Sequence, residues 1–463
     1  MRRTLGLLLP CIAILVLTTG CPKKPTLPPV EQQPDYSGKL PEGEKALVKI
    51  DPSMYPDFSQ GFDHRSNLIE AALYSRQYLE KKSSRQFFPY LDISHQRAID
   101  SIDAFIEVLQ TAQSGQELDQ MIRERFDVYQ SRGYQDYNRK DADPRWKPPD
   151  TGIVLFTGYY RPIFNARLKP DAVFKYPLYK KPPDLMQDPV TLAYQPYLTR
   201  AQIENGALAG RGLELCYLSD WFETYIVTIQ GSAKLRLEDG SMFEIGYAGD
   251  NGHKYESVAQ AFVQQGRLDA NNLSLQSMIQ YFRQHPEARE QAININPRYV
   301  FFTPRSGGPF GSLNVPVTPL RSIATDKQIF PRAGVCFIKT QLPFRDATGQ
   351  IRQGNYGGFA LDQDTGGAIQ AAGRCDVFMG TGDEVGELAG RTFSEGALYY
   401  IYVKEGMGSG TATSASPQAP YDPAPEATGD MGYGPSSTPP TESATTPYGR
   451  QPQRRLASGL PPS

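Results

Sequence analysis

Histidine is scarce in this 463-residue chain, with four in all (His64, His95, His253 and His285) and none in HExxH spacing. No pair of cysteines stands in CxxC spacing either, which argues against a dedicated transition-metal site; no metal or cofactor is expected. Net charge is nearly absent too: 48 basic residues face 50 acidic ones. That balance lacks the basic footprint of a nucleic-acid binder. Cysteine is too sparse for a disulfide framework. Of five, Cys11 and Cys21 sit at the extreme N-terminus, and Cys216, Cys336 and Cys375 form an odd set that allows at most one bridge. Long apolar runs are missing after the first twenty residues, and no solenoid-type repeat is present.

What is plentiful is glycine (42), proline (39) and tyrosine (27), a composition that favours β structure with many turns and aromatic-lined clefts. At the N-terminus, Arg2 and Arg3 precede an apolar run from Leu5 to Leu17, too short for a comfortable membrane span. Thr18-Thr19-Gly20-Cys21 follows and resembles a bacterial lipobox, with Thr18 where Leu is commonest. Residues 1–20 are therefore expected to be a lipoprotein signal peptide and Cys21 the lipid attachment site, anchoring the chain without spanning the membrane. Pro22 after the cysteine suits outer-membrane sorting, on its periplasmic face. Residues 21–45 read as a tether. The stretch 405–463, rich in Gly, Pro, Ser, Thr and Ala, reads as a disordered tail.

Between these ends, residues 62–133 look helical. Ile99, Ile102, Phe105, Ile106 and Leu109 recur at helical spacing, and Ser114 with Glu117 makes a capping-box signal. From about 150 the pattern turns to strands: Gly152–Tyr160, Tyr225–Gln230, Arg298–Phe302 and Leu398–Val403. A helical interlude from Tyr255 to about Glu290 interrupts them.

The richest segment for chemistry is LDQDTGGAIQAAGRCDVFMGTG, residues 361–382. Gly366-Gly367 suggests a turn into a short helix with Asp364 near its N-terminus, where free amides would stabilise an ionised carboxylate. Asp376 precedes Val377-Phe378-Met379, and such neighbours would desolvate it and raise its pKa, as a general acid requires. Two carboxylates pushed in opposite directions would divide acid and base roles. Turn and capping roles fit both residues equally well on composition alone. Two DTG triplets, at Asp150 and Asp364, also evoke aspartic proteases, but Asp150 follows Trp146-Lys147-Pro148-Pro149, a turn-like entry instead of a burying strand.

Other segments could build a cleft around that acid. Tyr159 and Tyr160 in FTGYYRP offer aromatic faces to sugar rings. Gln230 and Ser232 offer short polar groups for hydroxyl and acetamido groups. Asn251, in a Gly/Asn turn cluster, leads to Tyr255. Arg321, alone in an uncharged stretch, can grip a carboxylate.

Taken in order, FTGYYRP, YLTRAQIENGAL, TIQGSAKL, IGYAGDNGHKYES, NPRYVFF, GPFGSLNVPVTPLRSIATD and ALDQDTGGAIQAAGRCDVFMGTGDEVGELAG resemble the membrane-bound lytic murein transglycosylase A family over about residues 150–404. The resemblance implies a mainly β fold with a helical N-terminal segment. A double-psi β-barrel (46–162 and 298–404) would be interrupted by a second β-rich domain (163–297), with the substrate groove between them. It places the catalytic aspartate on Asp376 and a supporting one on Asp364. GPFGSLNVPVTP departs from the family pattern at Asn314, where a small residue, commonly Gly, is usual. The implied reaction is cleavage of the MurNAc-GlcNAc β-1,4 bond of peptidoglycan, leaving 1,6-anhydroMurNAc ends, as an exo-acting lyase. Glycan strands are then the partner, with the membrane reached through the lipid and no partner enzyme identifiable. A non-catalytic peptidoglycan-binding lipoprotein and a hydrolytic muramidase are the alternatives; retention of both aspartates argues against the first.

Overall fold

The computed structural model describes residues 34–135, 149–188, 194–269, 275–367 and 369–407. The signal segment, Cys21, Ala368 and nearly all of the C-terminal tail lie outside these. Fourteen strands run through the described residues: β1 (Leu47–Lys49), β2 (Phe126–Ser131), β3 (Val154–Arg161), β4 (Ile163–Arg167) and β5 (Tyr176–Tyr179). They continue as β6 (Glu214–Leu218), β7 (Ser232–Arg236), β8 (Met242–Asp250), β9 (Val300–Pro304) and β10 (Ser322–Ala324). The last four are β11 (Val335–Arg345), β12 (Ile351–Asp364), β13 (Arg374–Thr381) and β14 (Phe393–Val403). The helices are α1 (Leu68–Glu80), α2 (His95–Thr111), α3 (Gly115–Arg125), α4 (Arg200–Gln202) and α5 (Trp221–Gln230), then α6 (Val258–Gln264), α7 (Leu275–Gln284), α8 (Ala288–Ile295) and α9 (Asp383–Gly390). None of them is long and apolar enough to cross a membrane.

Six strands close on themselves in the order β14-β11-β12-β10-β13-β3 and back to β14, while β2 and β1 extend from β14. Two pairings in this barrel are parallel, β10 with β12 and β3 with β13. The three N-terminal helices pack against it through one shared core, in which Phe58, Phe105, Phe337 and Phe359 are all fully buried. Local sequence dictates where those helices start. The Ser94 hydroxyl accepts from Arg97 N at 3.1 Å and that of Ser114 from Glu117 N at 3.2 Å, each satisfying an amide the helix leaves unpaired.

The second sheet runs β5-β6-β4-β7-β8-β9 and carries α5 to α8 on a separate aromatic core of Trp221, Phe222, Phe262 and Phe282. Three expectations fail here. The β-branched run Tyr225–Gln230 is the end of a helix, because Asp220 accepts from Phe222 N and Glu223 N while Gly231 closes it at φ +74°. Apolar Trp221, Phe222, Tyr225 and Ile226 then share the buried face, a helical spacing that outweighs strand propensity. Nor does the chain return to the barrel at Arg298. Val300–Pro304 pairs antiparallel with β8, because Val300 and Phe302 complete the second sheet's core. The Gly/Asn cluster 246–252 is likewise mostly strand, with a register shift between Tyr247 and Gly249.

The two regions are joined at β3. The buried Arg161 guanidinium donates to Gly308 O at 2.9 Å and pairs with Glu244 at 3.0 Å. Gln230 Oε1 accepts from Tyr160 N at 3.1 Å. Cys216, Cys336 and Cys375 are buried and free.

Candidate active site

Strand register assembles the two aspartates. Ala324 of β10 lies opposite Asp364 on one side and Asp376 on the other, and Asp376 in turn lies opposite Thr157 of β3. Residues directly opposite in a sheet share a face, so Asp364, Ala324, Asp376 and Thr157 form one row across four strands. With strands about 4.8 Å apart, the two aspartate backbones are roughly 10 Å from each other, with the small, buried Ala324 between them.

Asp364 owes its place to an irregularity. Ile323 pairs with Asp362, but the next residue, Ala324, pairs with Asp364. Gln363 is the extra residue, and it turns Asp362 and Asp364 to opposite faces where strict alternation would put them on one. Gln363 itself is fully buried. Its amide donates to Ala71 O at 2.7 Å and accepts from Ser322 Oγ at 2.6 Å.

Asp364 ends β12, and the described residues after it form no helix. Its carboxylate is held instead by Ser312 N and Thr365 N, both 2.8 Å from Oδ1, and by the Tyr159 hydroxyl, 3.0 Å from Oδ2. Burial pushes the Asp364 pKa up, opposed by those three donors and by Lys327. Ser312 reaches it from a loop whose departure from the family pattern now has a reason. Asn314 sits at φ +56°, a left-handed conformation that Gly adopts freely and Asn tolerates better than most residues.

Asp376 is 20% exposed. Its Oδ1 accepts a close hydrogen bond from Thr157 Oγ1. Arg374 donates to that same hydroxyl at 3.2 Å and stands 3.9 Å from Oδ1. Burial pushes the Asp376 pKa up to about 6; Arg374 pulls against the rise and Asp364 adds to it. Both aspartates therefore shift upward, and the expected opposite displacement is not found. Desolvation acts on both, and the amides that were to come from a helix are only two.

The remaining expected residues separate into two groups. Tyr159 stacks at a tilt 5.2 Å from Phe378 and serves Asp364. Tyr255, half-buried, is within electrostatic reach of Asp376 and Arg374, and burial raises its phenol. Gln230 and Ser232 border β3 and open β7. Three others are structural. Tyr160 is buried against Gly386 of α9. Asn251 is fully buried, its amide donating to Leu198 O and Pro297 O and accepting from Tyr299 N. Arg321 is buried, donating to Ser66 O, Leu320 O and Tyr356 Oη. The polar groups of Asn251 and Arg321 are engaged by the fold. The second DTG aspartate, Asp150, accepts from Gln135 at 2.6 Å and does not join Asp364. Thr157 and Ala324 were not singled out from sequence. The alternation of FTGYY, which puts Thr157 and Tyr159 on one face, was the available signal for the first.

A closed six-strand barrel and a second sheet entered from its β3 define the architecture, with two aspartates brought into one row on the barrel. Two family models match: the MltA specific insert domain over residues 155–303 and the 3D domain over 321–402. Membrane-bound lytic murein transglycosylase A of Vibrio cholerae is 33% identical over 242 residues, 52% of this chain and 62% of the relative. Its Escherichia coli K12 counterpart is 31% identical over 261 residues, 56% of this chain and 68% of the relative. The chain belongs to the MltA family. Among solved structures, a membrane-bound lytic murein transglycosylase from Agrobacterium tumefaciens aligns with a TM-score of 0.61 at 22% identity, covering 77% of this chain and 98% of that one. Escherichia coli MltA with bound chitohexaose aligns with a TM-score of 0.57 at 24% identity, covering 80% and 99%. Both share the fold.

Proposed function

We propose that this chain is a peptidoglycan lytic transglycosylase that cleaves the MurNAc-GlcNAc β-1,4 bond and leaves 1,6-anhydroMurNAc ends, with Asp376 as its single acid and base. The observation that carries the reading is a carboxyl in one sheet row with a second aspartate, four-fifths buried, whose pKa is lifted to about 6. It holds a proton near neutrality and can give it up, as general acid catalysis needs. The names of the related proteins support the substrate class.

Thr157 donates to Oδ1, which leaves Oδ2 to carry the working proton. That proton passes to the glycosidic oxygen as the bond from C1 breaks. The sugar's own C6 hydroxyl then attacks C1 and returns its proton to Asp376. No water is consumed. A tethered hydroxyl acts at high effective molarity, so no second carboxylate is needed to activate a nucleophile. Asp364, fixed by three donors, supplies negative charge towards the oxocarbenium-like centre.

In this reading the barrel is of the double-psi kind, and the glycan lies in a groove between it and the second sheet, against Tyr255, Gln230 and Ser232. The domain limits follow the expected ones, except that the insert runs to about residue 304. Action is from strand ends, and the enzyme is held on the periplasmic face of the outer membrane by lipid on Cys21. Digestion of purified sacculi with mass spectrometry of the products tests the chemistry. Anhydro ends are expected, and reducing muramic ends would defeat it. Asp376→Asn is expected to lose about a thousandfold or more in turnover while still sedimenting with sacculi.

A further inference from the structure

A cavity of about 250 Å³ opens on the barrel away from the aspartates, and it shares no lining residue with them. Its walls bring together three cations, Lys45, Lys327 and Arg332, with Phe87, Phe88 and Tyr90, and no carboxylate lines it. The carboxylates within electrostatic reach of Lys327 are Asp362, Asp326 and Asp364, and Asp362 also acts on Arg332. Lys327 donates to Asp362 and to Thr325 Oγ1 at 3.0 Å. Lys45 and Arg332 are left without a bonded anion among the described residues. The Lys45 ammonium lies 5.7 Å from the centre of the Tyr90 ring. The Arg332 guanidinium lies 3.8 Å over Phe87 and is bonded to the Tyr78 phenol, but its Nε is buried with no acceptor.

Burying a cation without an anion is costly, and burial does push the Arg332 guanidinium down. Aromatic walls limit how far water can repay that cost. The chemistry that would repay it is a compact oxyanion, offering charge and acceptors to the Arg332 guanidinium and to Lys45 at once. We infer that this cavity is a binding site for a phosphate group, carried either by a soluble phosphate or by the head group of an anionic lipid. A singly charged carboxylate would meet only one of the two free cations well, whereas a phosphate brings more negative charge and three acceptor oxygens.

Calorimetric titration of the full chain with inorganic phosphate is expected to give saturable binding. Arg332→Gln and Lys45→Gln should each weaken it about tenfold or more. Lys45 is the safer variant because it has no structural bond to lose. Lys339→Gln, an exposed position on β11, should leave it unchanged. Short-chain phosphatidylglycerol, kept below its micelle concentration, distinguishes the source. Tighter binding than phosphate assigns a lipid head group, and weaker binding assigns a soluble phosphate. The assignment is overturned if phosphate does not bind saturably, if acetate binds equally well, or if Lys339→Gln weakens binding as much as the cavity variants do.

Discussion

Two carboxylates of one strand, two residues apart, live in opposite worlds. Asp362 is fully buried, bonded to Lys327 and accepting from Thr325 and Tyr400, each at 2.8 Å. Asp364 and its partner across Ala324, Asp376, share the opposite face. Asp376 has one hydroxyl donor and a cation only at 3.9 Å. The sealed carboxylate is neutralised by a full counter-charge and every bond it can use. Asp376, the proposed acid, is left with fewer partners. The extra residue Gln363 turns Asp362 away from the face of Asp364, and its own hydrogen bonds to α1 and Ser322 hold it there.

The difference predicts opposite responses to losing each charge. Removing Asp362 strands Lys327 in the barrel wall, and Asp362→Ala is expected to cost about 3–5 kcal/mol in urea unfolding at neutral pH. Replacing the pair together, Asp362→Leu with Lys327→Met, should recover most of that loss. A cost no larger than that of an ordinary surface substitution would mean the pair is not the counterpart described. Asp376→Asn should do the reverse. The carboxyl ionises at 3.8 when unexposed to these surroundings and near 6 in the fold. Its neutral form is therefore the one the fold favours. Stability from this group is intact below about pH 4 and falls as pH rises through about 6. At 1.36 kcal/mol per pH unit, the ionised side chain burdens the native state by about 3 kcal/mol above pH 7. The Asn variant should thus be more stable than the parent by that amount near pH 7.5 and no more stable near pH 4. Equal stability at both pH values would refute the raised pKa, whatever the variant's activity.

How much of this was legible beforehand depends on the range of the interaction. Ser114 with Glu117 marked a helix start because capping is local. The Gly-rich stretch around Asp364 and Asp376 drew attention because composition alone makes it unusual. Tyr225–Gln230 was misread as a strand because Ile226, Val227 and Thr228 carry strand propensity, while the helix is fixed by Asp220 and by packing on Phe282. Asn251 and Arg321 suited ligand roles by type, but their partners, Leu198, Pro297, Ser66 and Tyr356, are distant in sequence. Ala324 was invisible for a related reason. A small residue matters only because register puts it between two carboxylates, and register across β12, β10 and β13 is a property of the closed barrel. Period-two reasoning would also have put Asp362 in the cleft beside Asp364, since a one-residue slip leaves no composition mark.

The smallest effect is the most discriminating about how Asp376 is set. Arg374 acts on it in two ways, by charge at 3.9 Å and by donating to the Thr157 hydroxyl that donates to Oδ1. Both favour the ionised carboxylate and hold the pKa below what burial alone would give. As the proposed general acid, Asp376 must be protonated to work, so activity should fall as pH rises through about 6. Arg374→Gln takes away the charge and leaves an amide able to bond to Thr157. The falling limb of the pH–rate profile should then move to higher pH, with the maximal rate changed by less than about tenfold. Thr157→Val removes the hydroxyl and should move the limb the same way. If Arg374→Gln lowers the rate equally at every pH, its contribution is to shape the cleft, and the contrast with Lys327 is then one of geometry and not of charge. A limb that moves to lower pH would reverse the electrostatic account of the acid altogether.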